Sequence, residues 1–224
     1  GSPVNAVQVN TNGLVGIGTN DPQAGLHLSA GRSFINMEVV KTLRDENGGL
    51  TNLAGAAAVA VDGNLMAVVA IYDNGLTLFD VTNPSQPMPT AQVRSGDSGF
   101  AGIGQVYRVA LRSNLLAVAS YDGVVSLLNV SNRYTPGLLA QFRDGQGGWN
   151  ELSGIKSLAF SGNLLAIAAR NDSAVTLADV SNPANPIKRA ELKDGFFGFT
   201  NLLGASALAF KGNTLFIGSD NDRA

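Results

Sequence analysis

The sequence contains no cysteine and a single histidine, His27. Without cysteine there is no disulfide framework and no thiolate that could act as a nucleophile or a metal ligand. One imidazole leaves no histidine cluster for a metal, and Ser–His catalysis would have to use His27 as its base. We therefore expect a protein that is not an enzyme and that carries no cofactor and no metal ion.

Charge is also scarce and nearly balanced. Fifteen basic and seventeen acidic residues give a net charge of −2, and only 14% of the residues are charged. Nucleic acids and anionic membrane surfaces are recognised by basic patches, which this composition does not predict. The apolar runs at residues 53–61 and 65–71 are too short to span a membrane. We expect neither a nucleic-acid partner nor membrane insertion.

The most informative feature that is present is an internal repeat. One motif occurs four times, as GNLMAVVA from Gly63, SNLLAVAS from Ser113, GNLLAIAA from Gly162 and GNTLFIGS from Gly212. Its asparagine stands at positions 64, 114, 163 and 213, so the period is about 50 residues. A period of this length is typical of propellers, solenoids and other repeat architectures.

Each repeat contains about four short apolar segments. In the first copy they are Ala56–Val61, Leu65–Ile71, Leu76–Val81 and Thr90–Arg94, separated by Gly, Asn, Asp and Pro. Segments of this length between turn residues favour strands over helices. The second segment is apolar throughout, as in a strand buried on both faces, and the last is more polar. The pattern predicts an all-β β-propeller of four-stranded blades, with about four repeats and the last one incomplete.

Two stretches resemble a known family. They are YDNGLTLFDVTNPSQP from Tyr72 and NDSAVTLADVSNPANP from Asn171, and both are similar to the bacterial LVIVD repeat. The resemblance implies propeller blades over residues 34–224. It also implies an extracellular protein, at a cell surface or on a virion or appendage, because such repeats occur in surface and secreted bacterial proteins.

Residues 4–33 do not follow the repeat. The segment NGLVGIGTNDPQAGLHLSAG from Asn12 resembles the VGIGT segment of phage tail fibres and bacterial surface proteins, which implies a β-rich stalk that is often trimeric. The residues themselves favour strands at Leu14–Ile17 and Leu26–Leu28 with a turn at Asn20-Asp21-Pro22. We interpret residues 1–33 as remnants of tag removal followed by this stalk, and we expect trimerisation through residues 4–33.

The fourth repeat stops at Ser219–Ala224, where earlier copies begin their third strand. We count fifteen blade strands, of which the first is Phe34–Leu43 and the last is Thr214–Gly218. An incomplete last blade leaves an open sheet edge, and open edges invite pairing. We expect closure by further sequence or by a second chain.

Candidate ligand-binding residues follow from the connectivity. In a four-stranded meander the loops after the second and fourth strands emerge on the same rim, and here they carry aromatic, basic and acidic side chains. Such side chains can stack sugar rings or hold a peptide, although one equivalent position per repeat is also what packing between blades would require. The recurring aspartates could bind calcium or simply form turns. The candidates are Trp149, Phe197, Phe199, Phe100, Asn150, Arg94, Arg143, Asp122 and Asp172.

These features predict a non-enzymatic binding or adhesion module that presents a propeller face to a glycan or another surface polymer. The first alternative is a structural spacer or assembly hub in a phage-tail-like or injection-machine appendage. The second alternative is a glycan hydrolase, which would need a pair of carboxylates on neighbouring blades.

Overall fold

A computed structural model of the chain describes residues 7–9, 15–17, 26–28, 39–97, 100 and 104–221. The chain divides into two compact units, Gly1–Val40 and Lys41–Ala224. The regular secondary structure in the described ranges consists of strands. None of the described residues belongs to a helix long and apolar enough to cross a membrane.

The first unit contains a three-stranded sheet. Its strands are β1 (Val7–Val9), β2 (Val15–Ile17) and β3 (Leu26–Leu28). Strands β1 and β2 are antiparallel, whereas β2 and β3 are parallel. The two predicted strands are confirmed, and β1 is an addition to them. The predicted turn at Asn20-Asp21-Pro22 lies outside the described residues, and the likeness to tail-fibre stalks stays a prediction.

The second unit is built from successive antiparallel sheets, which we call blades 1 to 4. Blade 1 contains β4 (Ala56–Asp62), β5 (Leu65–Ala70), β6 (Gly75–Asp80) and β7 (Met88–Arg94). Blade 2 contains β8 (Val106–Arg112), β9 (Leu115–Ser120), β10 (Val124–Asn129) and β11 (Gly137–Arg143). Blade 3 contains β12 (Ile155–Ser161), β13 (Leu164–Ala169), β14 (Ala174–Asp179) and β15 (Ile187–Lys193). Blade 4 has two strands in the described residues, β16 (Ala205–Lys211) and β17 (Thr214–Ser219).

Contacts between blades join consecutive first strands, with β4 against β8, β8 against β12, and β12 against β16. The first strands therefore lie innermost, and the core fills the space between neighbouring blades. Second strands supply much of this core, and β9 is buried along its whole length. The prediction of propeller blades with an incomplete last member is confirmed.

The repeated asparagine has a structural role. The backbone oxygens of Asn64, Asn114 and Asn163 accept hydrogen bonds of 2.8–2.9 Å from the valine N–H that follows each third strand. The residue before each asparagine adopts a left-handed conformation, with φ of 50–57°. Glycine adopts this conformation without strain, and three of the four copies have glycine there, at Gly63, Gly162 and Gly212. The motif thus encodes the hairpin between the first two strands.

One strand prediction is wrong. Residues 39–43, the described part of the predicted strand Phe34–Leu43, form no strand. By repeat alignment this stretch corresponds to the outer strands β7, β11 and β15, each of which pairs with the third strand of its own blade. No third strand lies beside residues 39–43 among the described residues, so the backbone has no ladder to join.

Candidate functional site: the loop rim of the propeller

In the described residues, the loops and hairpins predicted to share a rim lie side by side. We call this surface the loop rim. The blade-to-blade loop and the hairpin of the same blade are joined by hydrogen bonds, such as Tyr72 N–H to the Ala54 oxygen at 3.1 Å and Asn171 N–H to the Ser153 oxygen at 3.2 Å. In its described part it consists of the blade-to-blade loops 44–55, 95–97, 104–105, 144–154 and 194–204 and the hairpins 71–74, 121–123 and 170–173.

Most of its aspartates hold the loops in shape. Asp45, Asp144 and Asp194 each accept a hydrogen bond of 2.9–3.0 Å from the backbone N–H eight residues later. The Asp73 and Asp172 carboxylates accept bonds of 2.6 and 2.7 Å from loop N–H groups of their own blades. These bonds occupy carboxylate oxygens that calcium would need. The described residues also contain no group of three or more His, Cys, Asp or Glu side chains suited to a metal ion.

Two of the predicted polar residues differ in exposure. Asp122, at the hairpin of blade 2, is exposed. Asp172, at the equivalent place in blade 3, is partly buried, and this burial raises its pKa; the nearby Asp144 and Glu151 charges act in the same direction. The Ser153 N–H bond opposes the rise by stabilising the charged form. Asp172 is therefore held inside the loop, whereas Asp122 faces solvent.

The predicted basic residues are tied to the loops to different degrees. The Arg94 guanidinium donates to the Asn52 side chain and the Thr51 oxygen, and lies 3.7 Å from Asp73. Lys193, at the equivalent position in blade 3, binds Glu151 at 2.7 Å. Arg143 is half-buried and lines a groove of about 300 Å³ together with Gln146 and Trp149. Arg94 and Lys193 thus brace the loops, and Arg143 borders a small depression.

Trp149 and Phe100 belong to the core. Trp149 is 8% exposed, and its ring stacks on Phe142 with centroids 4.0 Å apart and an interplanar angle of 24°. Phe100 is buried among residues of blades 1 and 2. Both were predicted as candidate ligand-binding residues, but the structure places the Trp149 ring between blades 2 and 3. A buried ring cannot offer its face to a ligand.

Phe197 is the most exposed aromatic residue of the rim. It is 93% exposed, and the flanking Phe196 and Phe199 are also exposed. Its backbone is left-handed, with φ of 51°. In the three equivalent loops the position is held by Gly48 and Gly147, with φ of 62° and 58°, and by Ser98. Among these loops, a bulky residue has therefore replaced glycine only where its side chain projects into solvent. Asn150, the other non-repeated candidate, is exposed on the preceding loop.

A second group of side chains, on the strands next to the loop rim and on one rim hairpin, was not predicted. We call it the inner cluster: Tyr107, Arg108 and Tyr121 of blade 2 with Lys156 of blade 3. The Arg108 guanidinium carbon lies 3.9 Å from the Tyr107 ring centroid, and Lys156 Nζ lies 4.7 Å from it and 5.2 Å from that of Tyr121. The two rings meet edge to face, with centroids 5.8 Å apart. The inner cluster thus combines two cations with two aromatic rings, close to where the inner strands β8 and β12 begin.

The cations of the inner cluster form no ion pair within the described part of the chain. Lys156 Nζ donates to Tyr107 Oη at 3.2 Å, and Arg108 donates to the backbone oxygens of Lys156 and Tyr107. The hydrogen bond from Lys156 lowers the pKa of Tyr107 below its ordinary value, with a further contribution from the Arg108 charge. Two positive charges therefore lie beside the rings, and Asp220 is a nearby acid that interacts with Lys156.

A signal for the inner cluster was present in the repeat alignment. The positions of Tyr107 and Lys156 are occupied by Ala57 in blade 1 and Ser206 in blade 4. The blade architecture therefore accepts a small residue at this position. A residue that differs from its equivalents in the other repeats in this way has a side chain that the fold does not require.

The opposite rim, formed by the Asn-Pro loops, carries similar grooves between successive blades. One of about 570 Å³ lies between blades 2 and 3 and includes Asn114 and Pro183. Another of about 240 Å³ lies between blades 1 and 2 and includes Asn64 and Arg133. Both are lined by the hairpin asparagine motif, so they recur as a product of blade packing. Because the grooves recur between successive blades, their presence alone does not indicate a specific binding site.

Comparison with known proteins agrees with this architecture. Residues 55–93 and 155–191 match the family model described as LVIVD repeat. No curated protein matches the chain.

Several solved structures are similar in fold. The computationally designed Ika4 protein has 18% identity and a TM-score of 0.55, over 75% of this chain and 88% of its own. A Lactobacillus plantarum protein has 19% identity and a TM-score of 0.55, over 72% of this chain and 50% of its own. Sqt1 of Saccharomyces cerevisiae has 15% identity and a TM-score of 0.53, over 71% of this chain and 39% of its own. At these identities the likeness establishes the fold alone. The chain is a repeat β-propeller protein.

Proposed function

We propose that this propeller is a non-enzymatic binding module that presents its loop rim to a glycan or another surface polymer, outside the cell or on a virion or appendage. The observation that carries the proposal is Phe197, which combines full exposure with a left-handed backbone. A left-handed conformation costs a non-glycine residue about 1–2 kcal/mol. Residues held in such conformations cluster at functional sites, where binding gains offset the cost.

The surroundings of Phe197 suit a polymer. Phe196 and Phe199 flank it on the same loop and are exposed, which makes an aromatic surface without an enclosing pocket. Exposed aromatic rings stack on the apolar faces of sugar rings and lose little conformational entropy on binding. An open surface of this kind accommodates a segment of a long chain, whereas a small molecule would favour a deep cavity.

Three carboxylates of the same rim are engaged in ways that support a role without catalysis. Asp144 accepts the Leu152 N–H, Asp172 accepts the Ser153 N–H, and Glu151 binds Lys193 through both oxygens. A glycosidase needs one carboxyl group free to protonate the leaving oxygen and another free to attack or to activate water. Carboxylates that brace loops are poorly placed for either step.

Replacing Phe197 by glycine is expected to separate binding from stability. The variant adopts the residue that two of the three equivalent loops have, at Gly48 and Gly147, so the free energy of unfolding should rise by about 1 kcal/mol or stay unchanged. Loss of an exposed aromatic anchor should weaken glycan binding at least about tenfold. A glycan array with the labelled chain identifies the ligand, and calorimetric titration of that ligand compares Phe197→Gly with the unchanged protein.

Two variants control this experiment. Phe197→Tyr keeps the ring and should bind like the unchanged protein. Tyr134→Ala removes an exposed aromatic residue from the opposite rim and should leave affinity unaltered. An array without any bound glycan or surface polymer would contradict the proposed function, as would a Phe197→Gly variant with full affinity.

The assembly role remains a second candidate, because blade 1 exposes an interblade face. Val59 and Val61 on β4 are 61% and 58% exposed, whereas the equivalent Val109 on β8 is 9% exposed beneath blade 1. Phe216 on β17 of blade 4 is also exposed. We propose that blade 4 of a second copy covers the β4 face, continuing the contact that joins consecutive blades. A head-to-tail contact of this kind produces closed rings or filaments.

The double variant Val59→Lys, Val61→Lys tests this contact. Two charges in an apolar interface should convert the oligomer to a monomer, since unpaired buried charges are strongly unfavourable. Light scattering on the full chain gives the mass of both proteins, and thermal unfolding shows that blade 1 stays folded. A monomeric unchanged protein, or an oligomer that survives the substitutions, would rule out assembly through this face.

A further inference from the structure

We infer that the inner cluster binds the carboxylate group of an acidic sugar, with Lys156 and Arg108 facing the carboxylate and Tyr121 supporting the sugar ring. This inference rests on the proposed glycan-binding function and adds the charge class of the ligand. It uses residues separate from Phe197, so the two can be tested apart.

The first observation behind this inference is the arrangement of charged side chains in the inner cluster. Within the described residues, neither Lys156 nor Arg108 forms an ion pair. The neighbouring acid, Asp220, is bound to Arg170 at 2.9 Å and to the Ser206 hydroxyl at 2.5 Å. Asp220 is thus paired directly with a third cation, Arg170, and interacts with Lys156 only through the charge, without a direct contact. An excess of positive charge remains beside the rings, and a carboxylate is the natural partner for it.

The second observation is the placement of the two tyrosine rings of the inner cluster. Tyr121 is partly exposed at the tip of the blade 2 hairpin, and its hydroxyl lies 3.4 Å from the Asn171 side-chain oxygen of blade 3. Tyr107 is less exposed and is covered by the Arg108 guanidinium. Tyr121 therefore offers the accessible ring and Tyr107 fixes the two cations through stacking and its hydrogen bond. A ring beside a cation matches a sugar that carries a carboxylate.

The repeat shows that this group is not a packing requirement. Ala57 and Ala58 occupy the two positions in blade 1, and Ser206 and Ala207 occupy them in blade 4. The inner-strand contacts between blades 1 and 2 form with these alanines in place. A fold that accepts small residues at this site leaves Tyr107, Arg108 and Lys156 available for a ligand.

The test compares acidic polysaccharides with neutral counterparts of the same backbone. The probes are polygalacturonate, alginate and hyaluronate, each used intact and after chemical reduction of its carboxyl groups to alcohols. The unchanged protein should bind at least one intact polymer about tenfold more tightly than its reduced form, because hydrogen bonds to charged groups contribute strongly. Added salt should weaken the intact interaction and leave the reduced one unaffected.

Substitutions then assign the effect to the cluster. Lys156→Gln should bind the intact polymer with the lower affinity that the unchanged protein has for the reduced polymer. Its affinity for the reduced polymer should equal that of the unchanged protein. Lys156→Arg should restore most of the affinity. Lys211→Gln removes an exposed lysine at the far end of β16 and should have no effect. Thermal unfolding verifies that all variants are folded.

The outcomes separate this inference from the proposed function. Equal binding of intact and reduced polymers, or full affinity of Lys156→Gln for the intact polymer, overturns the inference. If Phe197→Gly still loses binding in that case, the glycan-binding function stands without an acidic ligand. If no intact polymer binds although the array yields a neutral glycan, the cluster has no acidic sugar to bind and the inference is wrong.

Discussion

Replacing Trp149 by alanine should lower the free energy of unfolding by about 3–5 kcal/mol, the range found for buried Phe and Trp. The ring is buried and stacks on Phe142, and it packs with Leu152 and Ile155 of the next blade. Truncation leaves a cavity that rigid neighbouring strands cannot fill. Urea unfolding of the two proteins measures the loss, and titration with an array ligand below the unfolding transition should give unchanged affinity.

Phe199→Ala is the matched control, because it occupies the equivalent position of the next loop. Phe199 is exposed, and the residue equivalent to Phe142 is Leu192. Its truncation should cost much less stability. A Trp149→Ala variant with unchanged stability and lost ligand affinity would contradict this assignment and indicate that Trp149 contacts the ligand.

Replacing Gly123 by alanine should cost about 2–4 kcal/mol, from a left-handed backbone and from overpacking. Gly123 has φ of +87°, and an added Cβ would lie 2.7 Å from Asp144 Cβ and 3.0 Å from the Leu152 backbone oxygen. Neither atom can rotate away, since Asp144 itself is fixed by its hydrogen bond to Leu152. Denaturant unfolding measures the effect.

Gly63→Ala isolates the backbone contribution. Gly63 has φ of +55°, and no atom lies within 4 Å of a Cβ placed there. Ser113 already occupies the equivalent position in blade 2. The control should therefore cost about 1 kcal/mol. Equal losses for the two variants would mean that the contacts around Gly123 relax freely.

The fold could be predicted because the information is repeated. Four copies of the asparagine motif indicate the register, and in three of them the asparagine oxygen accepts the same backbone hydrogen bond, at Asn64, Asn114 and Asn163. The prediction of a strand over Phe34–Leu43 is wrong for its described part, residues 39–43, because its sequence resembles an outer strand, while strand formation depends on a partner. The local sequence pattern predicts which segments can form strands. Whether a partner strand lies beside such a segment depends on the tertiary structure.

The site was harder to predict for a related reason. Trp149 and Phe199 hold the same place in the repeat, but one is buried and the other exposed, because burial depends on which side chains line the adjoining blade. The inner cluster joins Tyr107 to Lys156 across 49 positions, so no local motif contains it. Phe197 could be singled out from sequence because it departs from its own repeat.

The order of the strands also governs how the chain acquires its structure during synthesis. Each sheet of the second unit joins strands that are consecutive in sequence, so a blade needs only its own stretch of chain for backbone pairing. A ribosome adds roughly 5–20 residues per second, whereas a β-hairpin closes in about 1–10 μs. Blade 1 therefore has seconds in which to pair its strands before blade 2 leaves the exit tunnel. The side chains of blade 1 that pack against β8 and β9 in the folded protein are then available for blade 2 to pack on, and we expect folding to proceed from the amino end, one repeat at a time.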